Sequence, residues 1–471
     1  MASGELFRSL SPLFWFLRLT GGTPFHHSDS FTGMLCFRWC HPQTFWFAFV
    51  TLVHLSFILA QIFGGLFSLD DNSSREIDQT GTQFVINPTV RLTNAISQAR
   101  FLVDTFMLSK FIHFHLASFQ RFFQRLESVD CAVPVLSVVT HRTRNIISIG
   151  ISLNLFWHTM FLIYGLHGII EDHTHDSGWM FFARIVDNLM HIIGQLHSNM
   201  AIILFASLCY IIGLRFAGLT ELLHQTVVVD EGIFRDFFSE TNLDSHNGNL
   251  SNTQNSITPS MQNRILPDNE SLPDVGPPSL TISDRLRCQY KTLKLPLSSR
   301  LIFFKQLYLT LSEAVLVHFN KVFELPLLFY LISKLISVSI GCHSLIHQIV
   351  RNLNIGIFLF LTIPDIMAMF LIFQSADYVR GQVKSFFSSV AKISTQDLMI
   401  VERSEMQTFI LQIRGESIEL SVCGLFKLGK QLLPAVAGTI ATYILVLFQF
   451  NASEVVIYDA DVKTRKNLFK T

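Results

Sequence analysis

Charge is what this sequence has least of. Only 15% of its 471 residues are Asp, Glu, Lys or Arg, where a soluble domain carries about a quarter. Basic and acidic residues balance at 35 each, so nothing points to nucleic acid as a partner. Cysteine is sparse as well. Cys36, Cys40, Cys131, Cys209, Cys288, Cys342 and Cys423 have neither the dense spacing of a disulfide scaffold nor a paired zinc motif. "CFRWCH", with His26 and His27 upstream, is too irregular for a zinc site, and free thiols are the expectation. Enzyme signatures are missing too. There is no phosphate-binding loop, no His-Glu-x-x-His and no nucleophile elbow. The acidic "EDHTHD" of Glu171 to Asp176 reads as a solvated turn. No catalytic residue, cofactor or metal is expected.

What the chain has instead is apolar surface. Hydrophobic residues make up 49%, mean hydropathy is +0.40 and phenylalanine occurs 45 times. Long apolar runs separate polar loops, the pattern of a membrane protein. The start, "MASGELFRSLSPLFWFLRLTGG", has Glu5 and Arg8 too early and an apolar core too short for a signal peptide. It is expected to be a retained cytoplasmic segment with an amphipathic helix at the membrane surface.

A membrane helix takes about 20 mostly apolar residues. Runs near 43–67, 145–170, 322–349, 353–377 and 432–451 qualify. So do 92–117 and 181–214, despite Arg100, Asp104, Lys110, Arg184 and Asp187. The expectation is an all-α polytopic protein with seven transmembrane helices. Arg121, Arg125, Arg142, Arg144, Arg285, Arg287, Lys291, Lys294, Lys384 and Lys392 fall in alternate loops. Basic loops stay inside, which puts the amino terminus in the cytoplasm and the carboxyl terminus outside. Asn72 and Asn451 are sequons on the outer side, with Asn72 the better placed for glycosylation.

Seven segments follow. Residues 1–42 are cytoplasmic, 43–216 hold transmembrane helices 1–4, and 217–321 continue below the membrane as helices around a disordered insert at about 241–283. Residues 322–377 hold helices 5 and 6, 378–431 form cytoplasmic anchor helices, 432–451 are helix 7 and 452–471 an extracellular tail. The insert is rich in Asn, Ser and Pro, whereas its flanks keep a helical apolar repeat.

Polar residues inside the spans carry the functional signal. Arg184, Asp187, Asn188, His191, Gln195 and Asn199 recur at helical spacing and form one stripe. Arg100 and Asp104 are one turn apart, with Asn94 and Gln98 beside them. Trp157, His158, Tyr164 and His167 lie at the same depth. Ionisable groups there cost several kcal/mol unless paired or wetted. Two readings stay open: a pocket for a small polar molecule, or groups that satisfy one another between helices. The site residues for the first reading are Asn94, Gln98, Trp157, His158, Tyr164, Arg184, Asp187, His191 and Gln195.

The last span reads "TYILVLFQF", Thr442 to Phe450, and is free of charge. Thr442 and Gln449 are two turns apart on one face, Tyr443 and Phe450 share the next, and Val446 lies between. Thr-Tyr, five apolar residues and Gln-Phe in the last span resemble the hallmark of insect gustatory receptors and their arthropod relatives. "GLFKLGKQLL" (Gly424 to Leu433) resembles that family's segment just upstream, and "SPLFWFLRLTGGTPF" its amino-terminal stretch.

The resemblance implies a ligand-gated, non-selective cation channel. Four like or related subunits would join at a helical cytoplasmic bundle at the tetramer centre, in the plasma membrane of chemosensory neurons. A small tastant in an outer-half pocket would open the central pore. It places Gln449 and Phe450 at the constriction, with Thr442, Tyr443 and Val446 lower on the pore helix. Two positions depart from the family. Ile444 stands where the sugar-receptor branch carries Glu, leaving fructose-type or bitter-type ligands open. Gly429 stands where an acidic residue is usual. A G-protein-coupled receptor is the alternative, opposed by the orientation and the missing Asp-Arg-Tyr and Asn-Pro-x-x-Tyr. A small-solute transporter, using Arg100, Asp104, Asp187 and Asp365, is the second.

Overall fold

Phenylalanine is concentrated where helices meet. The computed structural model describes residues 3–19, 26–27, 35–36, 42, 44–53, 55–56, 75–77, 83–85, 115–132, 136–172, 178–224, 297–350, 356–393, 400–415, 418–446 and 449. The helices are α1 (Ser3–Leu19), α2 (Thr44–Val53), α3 (Leu116–Ala132), α4 (Leu136–Asp172) and α5 (Gly178–Leu223). They continue with α6 (Leu297–Glu313), a π-helical turn (Ala314–Phe319), α7 (Asn320–Val350), α8 (Gly356–Lys392), α9 (Ile400–Gly415) and α10 (Lys430–Val446). Among the described residues, three helical stretches are long and apolar enough to cross a membrane: Arg142–His167, Ile192–Leu223 and Ser299–Cys342.

The amino-terminal segment forms a helix, α1, with one buried face. Leu10, Leu13, Phe14 and Leu17 are buried, while Trp15 and Leu19 are exposed, the i, i+3, i+4, i+7 spacing of a single apolar face. That face lies along α4. Trp46 of α2 donates its Nε1–H to the Leu19 carbonyl at 3.0 Å, satisfying one of the acceptors a helix end leaves open.

Where α3, α5, α6, α8 and α9 meet, the core is aromatic. Phe122 of α3 meets Phe319 at 5.3 Å, and Phe205 of α5 stacks on Phe319 at 5.5 Å. Tyr308 of α6 stacks on Phe386 of α8 at 5.5 Å and meets Phe409 of α9 edge-on at 6.0 Å. One buried ion pair crosses this core: Arg215 donates from Nε and Nη2 to the two carboxylate oxygens of Asp130, at 2.7 and 2.5 Å. Its Nη1 donates to the Ile211 carbonyl at 3.0 Å.

The most extensive helix pair is α5 with α8, followed by α4 with α5 and α7 with α8. Glycines lie at close contacts in all three pairs, Gly165 between α4 and α5 among them. A Cβ at Gly213 would lie 2.4 Å from Cε1 of Tyr378, and one at Gly341 2.3 Å from Oγ1 of Thr362.

The segment before the last span, expected as anchor helices, is not all helix. The helix stops at Gly415, and Ser421–Val422 pairs antiparallel with Phe426–Lys427. The reason is local. Ile418, Leu420 and Val422 are buried and alternate with half-exposed Glu419 and Ser421, the period of two that a strand needs. Cys423 and Gly424 then turn the chain with φ of 49° and 68°, and the Leu425 N–H donates to the Val422 carbonyl at 2.9 Å. Such positive φ favours glycine at the second corner. Asn72, Asn94, Gln98, Phe450 and the 241–283 insert lie outside the described residues.

Candidate functional site

Four helices contribute to a polar cluster in an otherwise apolar interior. On α4, His158 is 4% exposed, and its Nδ1 lies 2.7 Å from the Asn154 carbonyl. A carbonyl only accepts, so Nδ1 carries the proton and Nε2 is the ring's other face. Asn199 of α5 donates its Nδ2 to Asn154 Oδ1 at 3.3 Å. Tyr330 of α7 donates its hydroxyl to Asn199 Oδ1 at 3.5 Å. Lys334, one turn on, holds its ammonium 5.0 Å from the centre of the Tyr330 ring. It also donates to Asp365 Oδ1 of α8 at 2.7 Å, and Ser337 donates to the second Asp365 oxygen.

These groups cover their own desolvation only in part. The lysine–aspartate pair neutralises two charges that would each cost several kcal/mol alone. On the same helices α4, α5 and α7, Asn154 Nδ2, Ser198 Oγ and Ser333 Oγ are buried without a hydrogen-bond partner among the described residues. Buried polar atoms of this kind normally have partners. They are the atoms here with donor or acceptor capacity left for a bound molecule.

The sequence-predicted residues divide. His158 lies inside the cluster, and Asn188 and Asn199 of the stripe face α4. Asn188 presses on Gly165, where a Cβ would come within 2.1 Å of its Nδ2. Gln195 and Trp157 are half-buried, and Tyr164 is exposed on α4. Arg184, Asp187 and His191 belong to α5, and their side chains lie outside the described set. Tyr330 and Ser337 were not singled out from the sequence. The signal was present, because Tyr330, Ser333, Lys334 and Ser337 repeat at three- and four-residue steps in an apolar run and so share a face.

Of the predicted pore positions, Thr442, Tyr443 and Val446 lie on α10, which among the described residues packs against the core by one edge. Leu433, Val436 and Ile440 of α10 pack against the core. Tyr443 is 53%, Leu445 59% and Val446 38% exposed, and Thr442 and Gln449 are exposed as well. Thr442 Oγ1 donates to the Gly438 carbonyl of its own helix at 2.9 Å, so its hydroxyl is satisfied without a neighbour.

Comparison with known proteins bears on both regions. Residues 280–454 match the family model of the 7tm chemosensory receptors. The fold is similar to the solved structure of the insect olfactory receptor OR5 from Machilis hrabei, at a TM-score of 0.57 and 12% identity, covering 96% of this chain and 100% of that one. The structure of the same receptor in complex with eugenol gives a TM-score of 0.59 at 12% identity, with the same coverage. At that identity the likeness establishes the helical membrane-protein fold. No curated protein matches the chain in sequence.

Proposed function

We propose that this chain, whose residues 280–454 match the 7tm chemosensory receptor model, is a gustatory-type member of that family working as a ligand-gated, non-selective cation channel. The observation that carries the reading is α10. A membrane helix rooted by one edge leaves Tyr443, Leu445 and Val446 outward, a surface that lipid could cover and that copies of the same helix about an axis would turn into a pore wall. Four subunits, identical or related, would place Val446 and Gln449 towards a central pore, with Phe450 as its apolar gate. Such a ring blocks ions by excluding water and conducts when widened.

The ligand is a small neutral molecule with hydrogen-bonding groups, bound among α4, α5, α7 and α8. His158 and Asn199 would contact it, with the stripe residues Arg184, Asp187, His191 and Gln195 and the second-span Asn94 and Gln98 further along the same path. Trp157 and Tyr164 would form aromatic walls. The related olfactory receptor's complex with eugenol supports a ligand of this size. The channel would work in the plasma membrane of chemosensory neurons, with Asn72 as an outer glycan site.

An epitope tag after Thr471 tests the reading in whole cells. Labelling before permeabilisation and current without GTP support a channel with an outer carboxyl terminus. Labelling only after permeabilisation, or ligand-driven nucleotide exchange without current, replaces it with a coupled receptor.

A further inference from the structure

Just before the pore helix the chain bends sharply, and α8 holds the bend. Gly429 sits at φ 153°, ψ 173°, a conformation essentially reserved for glycine. A Cβ there would lie 3.3 Å from Arg380 Nη1 and 3.5 Å from Asp377 Oδ1. A methyl group there would only touch these two side-chain tips, so the backbone angle, more than space, is what asks for glycine. Arg380 spans the bend, donating from Nη2 to the Leu428 carbonyl at 3.3 Å and from Nη1 to Gln431 Oε1 at 3.2 Å. Asp377, one turn earlier on the same face, lies 3.8 Å from Lys430 Nζ. The Leu428 N–H donates to the Leu420 carbonyl at 2.8 Å, which ties the bend to the hairpin behind it.

The same helix carries Asp365 into the polar cluster. Thus α8 touches the candidate ligand site near one end and the root of the pore helix near the other. We infer that Arg380 is a positioning residue that couples displacement of α8 to the foot of the pore helix, using the side-chain fork rather than packing as the link. The inference rests on the channel reading above.

Magnitudes separate this role from a structural one. The contacts of Arg380 are exposed or half-buried, and exposed pairs of this kind add little to stability. Removing one therefore leaves the fold in place. It changes how an α8 movement reaches α10, because both acceptors of the fork flank Gly429, the point about which the chain bends.

The test is single-channel recording of purified protein in planar bilayers, without agonist and with eugenol as the probe. Arg380→Ala should lower open probability by about threefold or more, within the range for residues along a coupling path. Gln431→Ala should lower it less, the double variant should match Arg380→Ala, and unitary conductance should be the same in all four proteins. Arg380→Lys keeps a donor for the Leu428 carbonyl and should fall between Arg380→Ala and wild type. It carries the test if the alanine variant fails to reach the membrane. Unchanged open probability in these variants, additive losses in the double variant or an altered unitary conductance overturns the inference while the channel reading stands. A wild type that passes no current overturns the channel reading, and this inference with it.

Discussion

Lys334 and Asp365 form a 2.7 Å ion pair between two antiparallel helices, with 1% and 7% of their surfaces exposed. Neither charge has water to fall back on. Replacing Lys334 alone with Met leaves a buried carboxylate and should cost about 3–5 kcal/mol. Replacing both, Lys334→Met with Asp365→Leu, should recover most of that loss. Thermal unfolding followed by size-exclusion chromatography in detergent reads the difference. A double variant no better than the single one would show that the pair is not the source of the cost.

At Gly213, α5 packs directly on the Tyr378 ring of α8. A methyl group there would stand 2.4 Å from Tyr378, well inside van der Waals contact. Gly213→Ala should destabilise by about 1–3 kcal/mol, the usual cost of overfilling a packed interface. Adding Tyr378→Leu should relieve part of it. The same unfolding assay applies, and an unchanged midpoint for Gly213→Ala would mean that the two helices slide apart without cost.

Cys423 lies at the hairpin corner outside the membrane spans. Burial, and then the nearby charge of Glu324, push its thiol above the ordinary cysteine value. The thiolate is the reactive form, so alkylation at pH 8 should be slower than for an unhindered thiol and should rise as pH increases. Glu324→Gln removes the negative charge, lowers the thiol pKa and should speed the reaction. Mass-spectrometric rates for the peptide containing Cys423 decide this, and equal rates in both proteins would remove Glu324 as a cause.

Gln449 is exposed near the end of α10. On the pore reading, Gln449→Ala should change unitary conductance or gating while surface expression holds. Normal currents from normally expressed protein would move that residue out of the pore.

Much of this fold is legible in the sequence because membrane helices announce themselves by length and composition. Apolar runs mark Arg142–His167 and Ile192–Leu223 directly, and the spacing of Leu10, Leu13, Phe14 and Leu17 marks an amphipathic helix. The hairpin at Ser421–Lys427 was hidden inside a segment read as helical. Its alternation spans only Ile418 to Val422, too short to outweigh the longer helical repeat before it. Lys334 and Asp365 were each visible as charges in apolar spans. Their partnership was not, because periodicity says which face a residue occupies and not which helix that face meets. The residue at the bend is the converse case. Gly429 stands out as a departure from the acidic residue usual in the family the sequence resembles, and its use becomes plain only with Arg380 beside it.

The π-helical turn at Ala314–Phe319 has a consequence for the kind of mutation this protein tolerates. Such a turn holds an extra residue relative to an α-helix, and one residue is about 100° of rotation. Tyr330, Lys334 and Ser337 all lie downstream on the same continuous rod. Deleting a single residue from the turn would swing all three off the cluster together, although each would still be present. Substitutions at the turn leave that phase intact, so this stretch is guarded by its residue count more than by its residue identities.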